Sequence, residues 1–568
     1  MSRGTASRRP AEVSAPSEQI LELPAPSGDG ELRYAVVYPN RHCLGMANLG
    51  FQAVVGLLAG LPGARCHRAF ADFPRTLEAG RALGEYDVVA LSLSFEGDYP
   101  EALNLLEAAG VPLPSEDRTA QHPLVLGGGV AVSLNPEPLA PFLDVAFLGE
   151  AEAGLARLHG FLLPRRGMPR PALLRELAEA ALPGVYVPSC YAPAEGSDRP
   201  LPLDAAPDSV ARVWAENPWD PARTRILASG DAFGGAYLLE VSRGCPHACR
   251  FCAAGYGTRP ARFLPLEALL PHARLGARRV GRVGLVGAAV SDHPELPELA
   301  RALLDEGAGF TVSSFRAENL DPDILQLLVR GGLQTLTVAL EAGSERLRRL
   351  LGKGISEEDV LRAARMAGEA GLRNLRIYAM VGLPTETDED VEALAGVAAA
   401  ARAALGGTVT VSAAPFVPKA HTPFQWEAMA PEALLRSRLR LLQRLCGREK
   451  GVRAVGEAPK WARVQGLLSR GGREVAPLLD AARRTGDWRS ALRSEIAARV
   501  LDGPRDPSGP LPWDVARGLP GREHLLAERE AAWRGAPPRP CRARFQGECR
   551  LCGVCGAGFN SPAAAADA

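Results

Sequence analysis

From Arg33 onward, short apolar runs alternate with stretches whose apolar residues recur every three or four positions. The runs Tyr34–Tyr38, Val88–Leu93, Leu124–Leu126 and Val145–Leu148, with a weaker one at Cys66–Phe70, read as strands. Helical patterns lie around Leu49–Leu58, Pro100–Ala108 and Glu150–Leu162. Nearly continuous apolar strands joined by helices predict a parallel sheet covered on both faces.

The pattern predicts an α/β protein. An N-terminal doubly wound (flavodoxin-like) domain at 31–163 is followed by a Pro-rich linker at 164–230 with few local elements. A second α/β series fills 231–430, with strands at Tyr237–Val241, Val283–Val286, Phe310–Ser313, Thr335–Ala339, Leu375–Met380 and Thr408–Ala413. Six such units fit a partial (β/α)6 barrel. Residues 431–540 read as a mainly helical C-terminal region, 541–556 as a Cys-rich metal or cluster motif, and 1–30 as a disordered tail.

The 568 residues carry 65 Lys+Arg against 65 Asp+Glu, which excludes a globally basic nucleic-acid binder. Positive charge does collect after Pro431, but no aromatic residues interleave with it, so it reads as solvated helix faces. No run reaches the roughly 18 uninterrupted apolar residues of a membrane helix. Arg3, Arg8 and Arg9 have no apolar core behind them, so no secretory signal is expected. The expectation is a cytoplasmic protein with no membrane partner, nucleic acid being disfavoured but not excluded.

The 11 cysteines divide unevenly. Cys43, Cys66, Cys190 and Cys446 are scattered, and read as buried thiols. Cys245, Cys249 and Cys252 follow a predicted strand at spacings of three and two intervening residues. Three thiolates facing one centre leave a coordination position open, which suits an iron–sulfur cluster better than a closed structural zinc. Cys541, Cys549, Cys552 and Cys555 supply four thiolates, enough to close a second site with either zinc or an auxiliary [4Fe-4S] cluster.

Cys245-Pro-His-Ala-Cys249-Arg-Phe-Cys252 resembles the signature of radical S-adenosylmethionine (SAM) enzymes. The resemblance implies a [4Fe-4S] cluster on the three cysteines, SAM on its fourth iron, and reductive cleavage of the sulfonium. It places Phe251 near the adenine, Gly287 in the small-residue turn that receives the SAM amino group, and Glu341 of the Glu-Ala-Gly-Ser motif against SAM. Arg316 would meet the carboxylate. The usual acidic residue beside Gly287 is missing. Pro415-Phe-Val-Pro-Lys-Ala-His-Thr-Pro-Phe-Gln-Trp426 resembles the end of the barrel in a group with cobalamin-binding-like N-termini.

The N-terminal domain resembles a cobalamin (B12)-binding domain. Asn40, His42 and Gly45 stand in for the Asp-x-His-x-x-Gly fingerprint, whose His replaces the cofactor's own base on cobalt; Asn replaces Asp here. Ser92 and Ser94 end the third strand, and Gly127, Gly128 and Gly129 end the fourth, where glycines permit close approach of a ligand. The implied activity is cobalamin-dependent, with methyl transfer to an unactivated position preferred. The implied partners are a small-molecule or peptide substrate and an electron donor such as flavodoxin or ferredoxin. An RNA-modifying, methylthiotransferase-like enzyme is the alternative, although the N-terminal domain has only Cys43 and Cys66 where such relatives carry three cysteines. A non-catalytic corrinoid or iron–sulfur carrier is the other.

Overall fold

The computed structural model describes residues 16–23, 31–194, 197–216, 220–312, 314–541 and 549–555. Six strands form the first sheet: β1 (Leu32–Tyr38), β2 (Ala64–Phe70), β3 (Val88–Ser92), β4 (Leu124–Gly128), β5 (Val145–Phe147) and β6 (Val185–Tyr186). Their spatial order is β2-β1-β3-β4-β5-β6. The first five are parallel and β6 runs antiparallel against β5. This is the doubly wound order, with its switch point between β1 and β3. The strands bury both faces. Val37, Val89, Leu91 and Val125 pack on one side, and Val36, Ala90, Leu126 and Phe147 on the other.

Two differences from the sequence reading lie at the margins of this domain. The segment expected to be a disordered tail contributes a strand, Glu18–Ile20, paired antiparallel with Ile226–Ala228. Glu18 there accepts from the buried guanidinium of Arg68, at 2.8 and 2.7 Å, an anchor that hydropathy does not reveal. The rest of that segment, 1–15 and 24–30, lies outside the described residues. The segment expected to be a linker carries a helix at Arg170–Glu179 and the edge strand β6.

The second α/β series contains β7 (Tyr237–Glu240), β8 (Arg282–Val286), β9 (Gly309–Val312), β10 (Thr335–Glu341), β11 (Asn374–Val381), β12 (Thr408–Pro415) and β13 (Val452–Gly456). β7-β8-β9 and β10-β11-β12-β13 are parallel sheets, bridged by Phe315 against Val338. The partial barrel therefore has the six expected strands and a seventh, β13, inside the region read as mainly helical. Val452-Arg-Ala-Val is too short to register beside its long helical neighbours.

Helix starts and stops follow local chemistry. Ser344 and Ser356 accept from backbone N–H groups at the N-termini of Glu345–Leu351 and Glu357–Glu369. Gly352 and Gly406 end helices in the left-handed region, φ 68° and 69°. Leu336, Val338, Leu340, Leu375, Ile377, Val409 and Val411 belong to the main buried core. The alternate residues Thr337, Ala339, Glu341, Arg376 and Tyr378 point to the opposite, more open face, the interior of the partial barrel. Among the described residues, no helix is long and apolar enough to cross a membrane.

Candidate active site at the domain boundary

The loop leaving β7 is fixed before it reaches its first cysteine. Ser242–Arg243 pairs with Arg262–Phe263, and Gly244 follows at φ 72°. A Cβ on Gly244 would lie 2.6 Å from the Thr258 carbonyl oxygen, so only glycine fits. Cys245, Cys249 and Cys252 then share one locality. Burial pushes the Cys245 thiol up to about 12 against an N–H donated by His247, and the charges of Cys252 and Cys249 add to the shift. Burial likewise raises Cys252 to about 11, with Cys249 contributing, while the Gly255 and Ala254 N–H groups aim at its sulfur. Binding iron here must therefore displace protons. Backbone N–H donors around a three-thiol set, Cys249 buried and Cys245 and Cys252 half-buried, fit a [4Fe-4S] cluster, which the three would hold.

The residues assigned to SAM have differing surroundings. Glu341 sits at a β-bulge with φ 71°, close enough to act on Cys252, and accepts from Lys353 Nζ at 3.2 Å. Arg316 is close enough to feel Cys249 but is held by Glu318, whose Oε1 accepts from Arg316 Nε at 2.6 Å. Glu341 and Arg316 thus take separate partners. Phe251 packs among Ala342, Leu347, Phe416 and Phe424. Gly287 is required by its neighbour: a Cβ there would lie 2.3 Å from Ser242 Oγ.

Several residues here escaped sequence reasoning. Lys353 is buried beside Glu341 and also feels Cys249. His247, between two cysteines, meets Asp292 Oδ1 at 2.8 Å, and Asn319 Nδ2 donates to the same oxygen at 3.1 Å. Asp292 thus supplies an acid after β8, five residues beyond Gly287, where the motif itself lacks one. Only folding brings 247, 292 and 319 together.

A cleft of about 560 Å³ opens between the two domains. Its wall in the first domain includes Asn48, Gly50 and Ala53, then Ser92, Ser94, Gly128 and Gly129 at the C-terminal ends of β3 and β4. Its other wall includes Leu238, Glu240, Arg243, Gly257, Thr258 and Val286, which flank the cysteine loop on both sides in sequence. Small side chains keep it open. Gly128 could accept a Cβ at ordinary contact distance, 3.8 Å from Phe147, whereas one on Gly129 (φ 106°) would meet the Leu93 oxygen at 2.4 Å.

The other residues assigned to cobalamin do not line this cleft. His42 is buried; its Nε2 lies 2.7 Å from Glu18 Oε1, and its ring packs edge-on against Phe70 and Phe73. Asn40 donates to Asp98 Oδ1 at 2.9 Å, not to His42. Gly45 makes room for Phe70 and Gly127 for Leu143. The fingerprint spacing therefore serves packing here, because the strand Glu18–Ile20 occupies the side on which His42 lies.

The two domains are locked around the cleft by charge. Glu150, next after Gly149, accepts from Arg262 at 2.6 and 2.9 Å and from Arg243 at 2.8 Å, with Arg212 at 3.9 Å. Burial alone would raise its pKa, but Arg262, Arg243 and Arg212 hold it down to about 2. The Pro415–Trp426 segment forms the second lock. Lys419 Nζ donates to Glu96 Oε1 at 2.6 Å, and His421 Nε2 lies 3.1 Å from the Leu134 oxygen. Burial lowers the His421 pKa to about 3, so the ring is neutral and Nε2–H donates.

The C-terminal cysteines lie against the first set. Burial raises the Cys555 thiol to about 11, and the charges of Cys541, Cys552 and Cys549 all act on it. Arg550 is described, whereas Arg542 and Arg544 lie outside the described residues.

Residues 239–398 match the radical SAM superfamily model, and residues 50–188 match the model of radical SAM proteins, N-terminal. Residues 239–398 therefore belong to the radical SAM superfamily, and residues 50–188 to the N-terminal domain of such proteins. An uncharacterised protein of Methanocaldococcus jannaschii is 29% identical over 470 residues, 82% of this chain and 94% of that protein. An uncharacterised methyltransferase of Pyrococcus horikoshii is 26% identical over 176 residues, 30% of this chain and 37% of that protein. The structure of the cobalamin-dependent SAM radical enzyme OxsB, with aqua-cobalamin and SAM bound, aligns with 66% of this chain and 52% of its own at 17% identity, TM-score 0.45.

Proposed function

We propose that this chain is a cobalamin-dependent radical SAM enzyme whose reaction is methyl transfer to an unactivated position of a small-molecule or peptide substrate. The observation that supports it is the single cleft shared by the strand ends of the first domain and the residues beside the cysteine loop. Its floor of Gly128, Ala90 and Leu126 and its wall of Gly50 and Ala53 suit a large, flat, partly apolar ligand entering at the β1/β3 switch point. The relative named a methyltransferase agrees with the preferred reaction.

When bound, the cluster with SAM would supply radical chemistry and the corrinoid a methyl group, both being cofactor chemistry. The chain's part is placement. Cys245, Cys249 and Cys252 bind the cluster, while Glu341 and Lys353 offer opposite charges beside it to the amino and carboxylate groups of SAM. The Glu150 and Lys419 locks hold the two domains together around the cleft. Thr337, Arg376 and Tyr378, on the open face of the barrel, are the substrate side. A flavodoxin or ferredoxin would supply the electron.

The test is anaerobic reconstitution with iron, sulfide and cobalamin, followed by SAM and dithionite. The expected result is one retained corrinoid per chain and release of 5′-deoxyadenosine, which Cys245→Ala abolishes. SAM cleavage without corrinoid retention would remove cobalamin from the reading. Corrinoid retention without SAM cleavage, with the cluster intact, would leave a carrier.

A further inference from the structure

The last described part of the chain forms a strap over the cysteine loop. The helix Arg522–Trp533 is joined to that loop through Arg250, fully buried between Cys249 and Phe251. Arg250 Nη2 donates to the Ala536 oxygen at 2.7 Å, and its Nε lies 3.5 Å from Glu528 Oε2. Pro538 covers Gly352. The Cys541 N–H then donates to the carbonyl of Pro246 at 2.7 Å, and Pro246 follows Cys245 directly. Downstream, the Gly521 N–H donates to the Cys552 carbonyl at 2.9 Å, which returns the segment 549–555 to the same spot.

Beside Cys541, Cys552 and Cys555 lies Arg259, 1% exposed. Its Nε donates to the Gly255 oxygen and its Nη1 meets the His524 ring, but its buried Nη2 has no oxygen or nitrogen partner. The guanidinium lies against the Cys552 thiol and close to Cys541. A buried cation without a carboxylate, facing the thiols of Cys541, Cys552 and Cys555, is suited to an anionic centre made by those thiols. Cys549, Cys552 and Cys555 are separated by two residues each, the spacing of the first three ligands in a bacterial ferredoxin cluster.

We propose that Cys541, Cys549, Cys552 and Cys555 hold a second, fully thiolate-ligated [4Fe-4S] cluster, with Arg259 as its buried counter-charge. The site does not depend on the cobalamin reading. Its Cys541 is hydrogen-bonded directly to the ligand loop of the first cluster, at Pro246.

The test uses the full chain, reconstituted anaerobically with iron and sulfide in the presence of zinc. The triple variant Cys245→Ala/Cys249→Ala/Cys252→Ala leaves the strap cysteines intact. It is expected to keep about four of the wild type's roughly eight irons, with a reduced-cluster electron paramagnetic resonance signal that SAM does not alter. Cys552→Ala/Cys555→Ala is expected to keep the other four, with a signal that SAM does alter. Cys555→Ser, changing one thiolate to an alkoxyl ligand, shifts the SAM-insensitive signal and serves if either multiple variant fails to fold. Iron-free triple variant, one zinc per chain in place of iron, or a Cys555→Ser spectrum identical to wild type overturns the proposal. A C-terminal variant whose signal ignores SAM would instead count against the radical SAM reading of the first site.

Discussion

Arg243 Nη1 donates to Glu150 Oε2 at 2.8 Å across the domain boundary, two residues before the first cysteine of the triad. The same guanidinium meets Glu240, at the end of β7, and Glu152. The turn after β5 is thereby tied to the residues that launch the cysteine loop, and the cleft between them keeps its width. Domain docking and cluster-loop geometry are in this way one structural event.

Replacing Glu150 by Ala should leave Arg262, Arg243 and Arg212 buried without their shared partner. Loss of one member of a buried ion network costs about 3–5 kcal/mol. Denaturant unfolding of Glu150→Ala should show that loss, together with lower iron retention after reconstitution. Unchanged stability would mean that the arginines find other acceptors.

Acid should act through the same carboxylate. Its folded pKa, about 2, lies below the ordinary 4.5, so its contribution is fully present above about pH 4.5 and is lost as pH falls from there through 2. The shift corresponds to about 3 kcal/mol. Glu18, held near 2 by His42 and Arg68 against the effect of burial, loses its contribution in the same window. Glu150→Gln should flatten the acid limb of a stability-versus-pH curve between pH 4.5 and 2, and equal slopes for variant and wild type would contradict it.

His42 separates the packing role from the cobalt role. His42→Ala removes the 2.7 Å contact to Glu18 and should cost about 1–3 kcal/mol, read by thermal unfolding and by proteolysis near residue 18. Corrinoid content and visible spectrum should not change. A changed spectrum would bring His42 back as a cobalt ligand.

Two adjacent glycines should behave differently. Gly129→Ala forces a side chain at φ 106° against the Leu93 carbonyl and should destabilise by about 1–3 kcal/mol or more. Gly128→Leu fills the cleft from a position where a Cβ fits, so the fold should survive while corrinoid retention is lost. Full retention in Gly128→Leu would move the corrinoid out of the cleft.

Glu341→Ala should leave the iron content unchanged and weaken SAM binding by about tenfold or more, roughly 1.4 kcal/mol. Equilibrium binding of SAM to the reconstituted, unreduced protein measures it. Unaltered affinity would reduce the Glu341–Lys353 pair to a structural bridge.

Hydropathy alone made the two α/β units legible, because a strand buried on both faces must be apolar throughout and the helices between must carry one apolar stripe. It missed β13, Glu18–Ile20 and β6, short elements whose pairing depends on neighbours far away in sequence. The same contrast holds at the site. Cys245, Cys249 and Cys252 could be read because their ligands are local. Lys353, Asp292 and Asn319 could not, since each is an ordinary polar residue until strand ends converge.

The sequence by itself determined the cysteine spacings, the strand–helix alternation and the glycines at the ends of β4, each a property of residues within a few positions of one another. Tertiary structure alone decided that His42 turns to Glu18 rather than to the cleft, and that Glu150 meets three arginines. It also set the strap of Cys541 beside Cys245. Those relationships join positions far apart in the chain, and the burial that gives each contact its strength exists only once the two domains and the strap have packed together.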